Sequence, residues 1–264
     1  KVHPYRWPTI GLSVDDIKNA SHEDIKSFFA QHYAVNNLIL CVSGHIEFEK
    51  AVALTEKWFG DFAPANIPVR NLPQEPVQTE QRFMSVKREV PQNVLTMMYH
   101  MCGRRDADYQ VCDMLSDVLS NGMSSRFYRN VLVKSGLFTE LEASVSGTYD
   151  PGLFIVRARL ADGVSFDKAK DAIDAELADF VSNGATAYEI EKCANKYEST
   201  RLFDMITYEK KGVKLCQYEL LGDAVDINKE VGKYRCITQD RLMNVAKNLL
   251  NPDNCSILYY GPDA

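Results

Sequence analysis

The chain has 264 residues, with 30 Lys and Arg against 36 Asp and Glu, a formal net charge of −6, and 45% hydrophobic residues. That acidic balance gives no electrostatic footprint for nucleic acid or an anionic membrane, and 25% charged with 10% aromatic residues excludes a disordered or low-complexity chain. The longest apolar runs, such as 38–42, are strand-sized and far below the roughly 20 residues needed to cross a bilayer.

In chain order, residues 1–12 form a Pro- and Gly-punctuated entry loop. Ser21-His22-Glu23-Asp24 predicts a capping box, opening a helix whose apolar face carries Ile25, Phe28, Phe29 and Tyr33. Asn36-Asn37 stops that helix, and the apolar run 38–43 predicts a short buried strand. A helix over 49–59 offers Val52, Leu54, Trp58 and Phe59 as core. Helix–strand–helix is too one-sided to be a complete core, so residues 1–62 are expected to expose apolar surface unless something covers it. Four prolines at 64, 68, 73 and 76 mark 63–77 as a linker.

Beyond the linker, strands are expected over 80–88 and 93–101. A helix from Asp106 buries Tyr109, Cys112, Leu115, Val118 and Leu119, breaks at Asn121-Gly122, and gives way to a shorter helix from Ser124 to Lys134. Segments 138–147 and 152–160 predict a hairpin, with Phe154, Val156, Ala158 and Leu160 on its buried face. Helices follow over 166–182, after the capping box Thr186-Ala187-Tyr188-Glu189, and through 205–232 and 238–250, before a closing strand at 254–260. Adjacent antiparallel strands with helices between them define the α+β class.

The seven cysteines are scattered without a C-x-x-C pair, as suits reduced thiols acting as small apolar residues. Cysteine usage leans towards a reducing, cytoplasmic compartment, with a bacterial periplasm open. The first residues show neither an initiator Met nor a signal-peptide pattern, so a piece of a longer protein is expected. The five histidines (His3, His22, His32, His45 and His100) never stand three or four apart, so no helical turn presents two imidazoles to a metal. No nucleophile elbow or phosphate-binding glycine loop is present. Asn121 to Arg126 predicts a self-capped helix corner, and Glu189 and Glu191 are expected on a solvated surface.

Several motifs nevertheless occur in a familiar order. His3-Pro4-Tyr5 with Pro8-Thr9-Ile10-Gly11, Tyr33-Ala34-Val35-Asn36-Asn37, Val42-Ser43-Gly44 and Trp58-Phe59-Gly60-Asp61-Phe62 come first. Gly122-Met123-Ser124-Ser125-Arg126-Phe127, Gly136-Leu137, Gly152-Leu153-Phe154, Gly184 to Ile190 and Ile237-Thr238-Gln239-Asp240 follow. Together they resemble the pitrilysin/insulinase family of zinc peptidases (peptidase M16).

The resemblance implies an M16 peptidase, LuxS-like metallohydrolase fold. Residues 1–62 would be the C-terminal part of a first M16-type domain, 63–77 a linker, and 78–264 a second domain. The family's H-x-x-E-H zinc motif lies upstream of the His-Pro-Tyr segment, so the resemblance places Zn in the full-length protein and no catalytic or metal residue here. Leu132 and Thr139 stand where the family's non-zinc half carries a substrate-holding Arg and Tyr. The implied function is a wall of a clamshell zinc endopeptidase acting on peptides or unfolded proteins, paired with a second M16 half as a homo- or heterodimer. The alternative is a non-catalytic scaffold, as in the core subunits of respiratory complex III. Neither nucleic acid nor a membrane segment is expected.

Overall fold

The computed structural model describes residues 1–262 and 264. Its first half holds α1 (Val14–Lys18), α2 (His22–His32), α3 (Phe48–Phe59), β1 (Arg82–Lys87), β2 (Val94–Met101) and α4 (Tyr109–Ser120). A wide π-helical turn, Phe127–Leu132, runs into α5 (Val133–Ser135), followed by β3 (Phe138–Val145) and β4 (Gly152–Leu160). Then come α6 (Phe166–Asn183), α7 (Ala187–Asp204), α8 (Tyr208–Leu221), α9 (Glu230–Arg235), α10 (Gln239–Leu249) and β5 (Cys255–Gly261). They form two compact units, Lys1–Val77 with Met205–Ala224, and Gln78–Asp204 with Val225–Ala264. Helix α8 thus belongs to the first unit, although in the chain it lies far beyond the 63–77 stretch.

The second unit is a five-stranded sheet in the order β1-β5-β2-β4-β3. β1 runs parallel to β5, while β2 pairs antiparallel with both β5 and β4, and β3 with β4. The fold is mixed α+β. The period-2 pattern decides which face is buried: Leu95, Met97, Tyr99 and Met101 alternate inward on β2, as do Phe154, Val156, Ala158 and Leu160 on β4. Against that face pack α4 on β3, and α6 and α10 on β2. The apolar stripe of α6 (Phe166, Ala169, Ile173, Leu177, Phe180) is buried throughout, each large side chain contributing about 1.5–3 kcal/mol.

Two glycines shape this unit. Gly136 ends α5 with φ +66°, the left-handed conformation that closes a helix at least cost without a side chain. At Gly103 a Cβ would stand 2.6 Å from the Tyr149 carbonyl oxygen and 2.8 Å from the Asp150 carbonyl carbon, both backbone atoms. Gly103→Ala is therefore expected to destabilise by about 1–3 kcal/mol, read as a lower melting temperature; an unchanged melt would show that the loop yields freely.

In the first unit, α2 begins at the expected box: the Ser21 hydroxyl accepts from the Asp24 N–H at 3.1 Å, and the Ser21 N–H donates to Asp24 Oδ2 at 2.9 Å. Asn37 Nδ2 donates to the His32 carbonyl at 2.8 Å, which explains how Asn36-Asn37 stops the helix. Asn36 exchanges two hydrogen bonds with the Ala65 backbone, at 2.9 and 3.1 Å. Two expectations fail here. The run 38–43 is not a strand, because among the described residues it has no ladder partner to accept its backbone groups. Val52, Leu54, Trp58 and Phe59 are exposed rather than core, since among the described residues no sheet in this unit covers α3; Ile25, Phe28, Phe29 and Tyr33 on α2 are exposed, as expected of residues 1–62.

Candidate functional site

Strand β3 and the corner before it carry the positions singled out by sequence. With the order β1-β5-β2-β4-β3, β3 pairs on one side only among the described residues, so its other edge offers backbone N–H and C=O groups to an added strand. Phe138 pairs with Leu160 and Glu140 with Arg159, which leaves Thr139 as the extra residue of a β-bulge. Thr139 is exposed, and its hydroxyl donates to the Arg159 carbonyl at 3.4 Å. Leu132 instead packs against the core at the end of the π-helical turn. The outward residues Glu140 and Glu142 face Arg159 and Arg157 across the pair, with Arg159 Nε 2.9 Å from Glu140 Oε2. Charged side chains on an edge strand disfavour uncontrolled edge-to-edge pairing.

Behind the edge lies the corner formed by Gly122 to Arg126. Arg126 Nε and Nη2 donate to the two carboxylate oxygens of Glu189 at 2.8 and 3.0 Å, and Nη2 also donates to the Gly184 carbonyl at 2.6 Å. The guanidinium lies 4.9 Å from the Phe180 ring centroid, and Nη1 is 3.5 Å from Asp179 Oδ2. Glu189 also closes the capping box of α7, accepting from the Thr186 N–H at 2.7 Å and returning its own N–H to the Thr186 hydroxyl at 3.2 Å. Burial would raise the Glu189 carboxyl, but the Arg126 and Thr186 hydrogen bonds outweigh it and hold the group at about 2. Glu189 is therefore not the solvated surface acid expected from sequence. Its partner lies 63 residues away, beyond the reach of local pattern.

A second buried polar cluster ties α4 to α9. The Glu230 side chain, 2% exposed, accepts from Gln110 Nε2 at 3.1 Å and Arg104 Nη2 at 3.4 Å, with Lys233 Nζ at 3.2 Å. Beside it the Tyr234 hydroxyl donates to Asp113, and the Tyr197 and Tyr234 rings stack at 3.6 Å. Sequence reasoning did not single out this cluster, because each member reads locally as an ordinary helix-surface residue. Among the described residues no three His, Cys, Asp or Glu side chains gather where a metal ion could sit, so the donors present do not fit a zinc site. No helix among the described residues is long and apolar enough to cross a membrane.

Residues 19–197 match the family model described as the peptidase M16 inactive domain. The chain belongs to this family. An uncharacterized zinc protease of Streptomyces coelicolor is 24% identical over 92% of this chain and 54% of its own length. A protease structure from Helicobacter pylori superposes with a TM-score of 0.90 at 22% identity, covering 98% of this chain and 63% of that one. The peptidase M16 inactive domain structure from Pseudomonas fluorescens gives 0.85 at 18% identity, over 99% and 62%. The chain spans about half the length of the curated relatives it matches. The Gly122–Arg126 corner and the β3 edge thus belong to an M16 inactive domain.

Proposed function

We propose that this chain is the non-zinc-binding wall of an M16 zinc endopeptidase that degrades or processes peptides inside a chamber closed by two M16 halves. The observation that carries this reading is the match to the inactive-domain family over 19–197. The zinc protease named among its relatives, about twice as long as the stretch matched here, supports it. In this reading zinc is held by the full-length protein outside the present chain, and the Arg and Tyr whose positions are Leu132 and Thr139 here come from a partner half. This chain's own residues bind and orient. The open β3 edge receives an extended substrate by main-chain pairing, and the bulge at Thr139 ends the regular ladder. The exposed aromatic faces of α2 and α3 are the surface that the remainder of the protein covers.

The test is a peptidase assay on the full-length protein and on this chain, each with zinc measured by mass spectrometry. The full-length protein should cleave an unfolded peptide, lose that activity on chelation and regain it with zinc, while this chain alone holds no stoichiometric zinc. Cleavage that survives complete metal removal would overturn the zinc reading. A full-length protein inert even with zinc supplied would favour the scaffold alternative.

A further inference from the structure

The sheet's other outer strand is β1, at the end of the order opposite β3. Among the described residues it pairs with β5 alone, over Arg82–Lys87, without a bulge or a proline. Just beyond it, the Arg88 N–H donates to the Gly261 carbonyl at 3.0 Å. Backbone groups alternate sides along a strand, so Arg82, Met84 and Val86 also turn theirs to β5. Phe83, Ser85 and Lys87 turn theirs to the open edge. Phe83 pairs with the buried Ile257 and stands edge-on to the Tyr259 ring at 4.9 Å, and Tyr259 stacks on Phe166 at 4.4 Å. That aromatic row runs out at the sheet's edge, where Phe83 is 61% exposed. Met84, on the opposite face, is 61% exposed as well. Phe83-Met84-Ser85 is thus an uncharged stretch on a regular open edge, whereas β3 has its bulge and two glutamates.

We propose that a second copy of this chain docks here, its β1 adding antiparallel to this β1 about a two-fold axis at Met84, so that the two sheets become one. Edge-to-edge pairing sets outward-turned residues opposite outward-turned residues, which allows a two-fold centre at Phe83, Met84 or Ser85. Charge decides among them. A centre at Ser85 opposes Arg82 with Arg88, and a centre at Phe83 gives no charge a counter-charge. A centre at Met84 puts Glu80 opposite Arg88 at both ends, with Arg82 opposite Val86 and Lys87 opposite Gln81. Phe83 then lies opposite Ser85 and diagonal to the partner's Phe83, at the roughly 7–8 Å that aromatic side chains can bridge. Met84 meets its symmetry mate as a non-hydrogen-bonded pair, with Cα atoms about 4.5 Å apart. The copy leaves the β3 edge free, since that edge is at the other end of the sheet.

The experiment uses the full-length protein carrying Met84→Cys or Lys87→Cys, oxidised with diamide and run on a non-reducing gel. A Cα separation near 4.5 Å suits a disulfide, so Met84→Cys should give a covalent dimer that a reductant splits. Lys87→Cys is an exposed control that should stay monomeric on the gel, because its symmetry mate lies at the far end of the paired strands. Sedimentation over a concentration series tests the charges. Glu80→Arg and Arg88→Glu should each weaken self-association on the order of tenfold, and an equimolar mixture should regain it, since every Arg then faces a Glu.

Met84→Cys that cross-links no more than Lys87→Cys would overturn the proposal, as would a mixture that associates no more tightly than the single variants. Hydrogen exchange supplies a further check. Phe83 and Ser85 N–H groups protected in a monomeric protein would assign β1 to another strand of the full-length protein, and the second copy would be ruled out.

Discussion

Arg126→Ala is expected to destabilise the sheet-bearing unit by about 3 kcal/mol, a melting temperature lower by roughly 6–12 °C. The guanidinium makes three hydrogen bonds and stacks against Phe180, so its removal takes packing as well as charge. What remains is a Glu189 carboxylate 17% exposed, held only by the Thr186 N–H at 2.7 Å and hydroxyl at 2.9 Å. Those two donors keep the loss at the lower end of the range for breaking a buried pair. The same contact sets an acid limit. Glu189 is held at about 2 against an ordinary 4.5, so its contribution is fully present above pH 4.5 and lost as pH falls through 2. Glu189→Gln should lie well below the wild type at pH 6 and close to it near pH 2. The variant Arg126→Ala melting like the wild type, or a Glu189→Gln deficit that does not shrink in acid, would remove the corner from the list of stabilising contacts.

Glu230→Ala should have an effect of similar size, about 3–5 kcal/mol, for a different reason. Here the anion is the hub. Its loss leaves the Gln110 amide without its acceptor and removes the ion-pair partner of Arg104 and Lys233, while Asp113 still acts electrostatically on Arg104. Arg104 would still lie over the Tyr109 ring at 4.3 Å, which recovers part of the loss. Glu230→Gln keeps an acceptor for Gln110 and should fall between the two. Lys233→Ala removes a 44% exposed partner and should change stability by under about 1 kcal/mol. Differential scanning calorimetry of the four proteins decides the matter: equal midpoints for Glu230→Ala and Lys233→Ala would show that the cluster is an ordinary surface network.

Much of the sheet-bearing unit is legible in the sequence because its signals are local. Alternation on β2 and β4, the 3.6-residue stripes of α4 and α6, and the capping box of α7 depend on neighbours within one or two turns. The first unit is less legible. Its apolar run 38–43 and the faces of α2 and α3 carry the same local signals. A strand exists only with a partner, and a core face only with a cover, and neither is encoded in the run itself.

The sequence by itself determined the α+β class, the family resemblance, the absence of paired histidines for zinc, and which side of each long element is apolar. Only the tertiary structure decided which residues distant in sequence meet. It brought Glu189 to Arg126, Glu230 to Arg104 and Gln110, the segment Met205–Ala224 to the first unit, and Thr139 to a bulge on an open edge. The physical reason is that periodicity reports how a side chain relates to its own helix or strand. A polar partner is chosen by chain reversals dozens of residues away, and those leave no period to read.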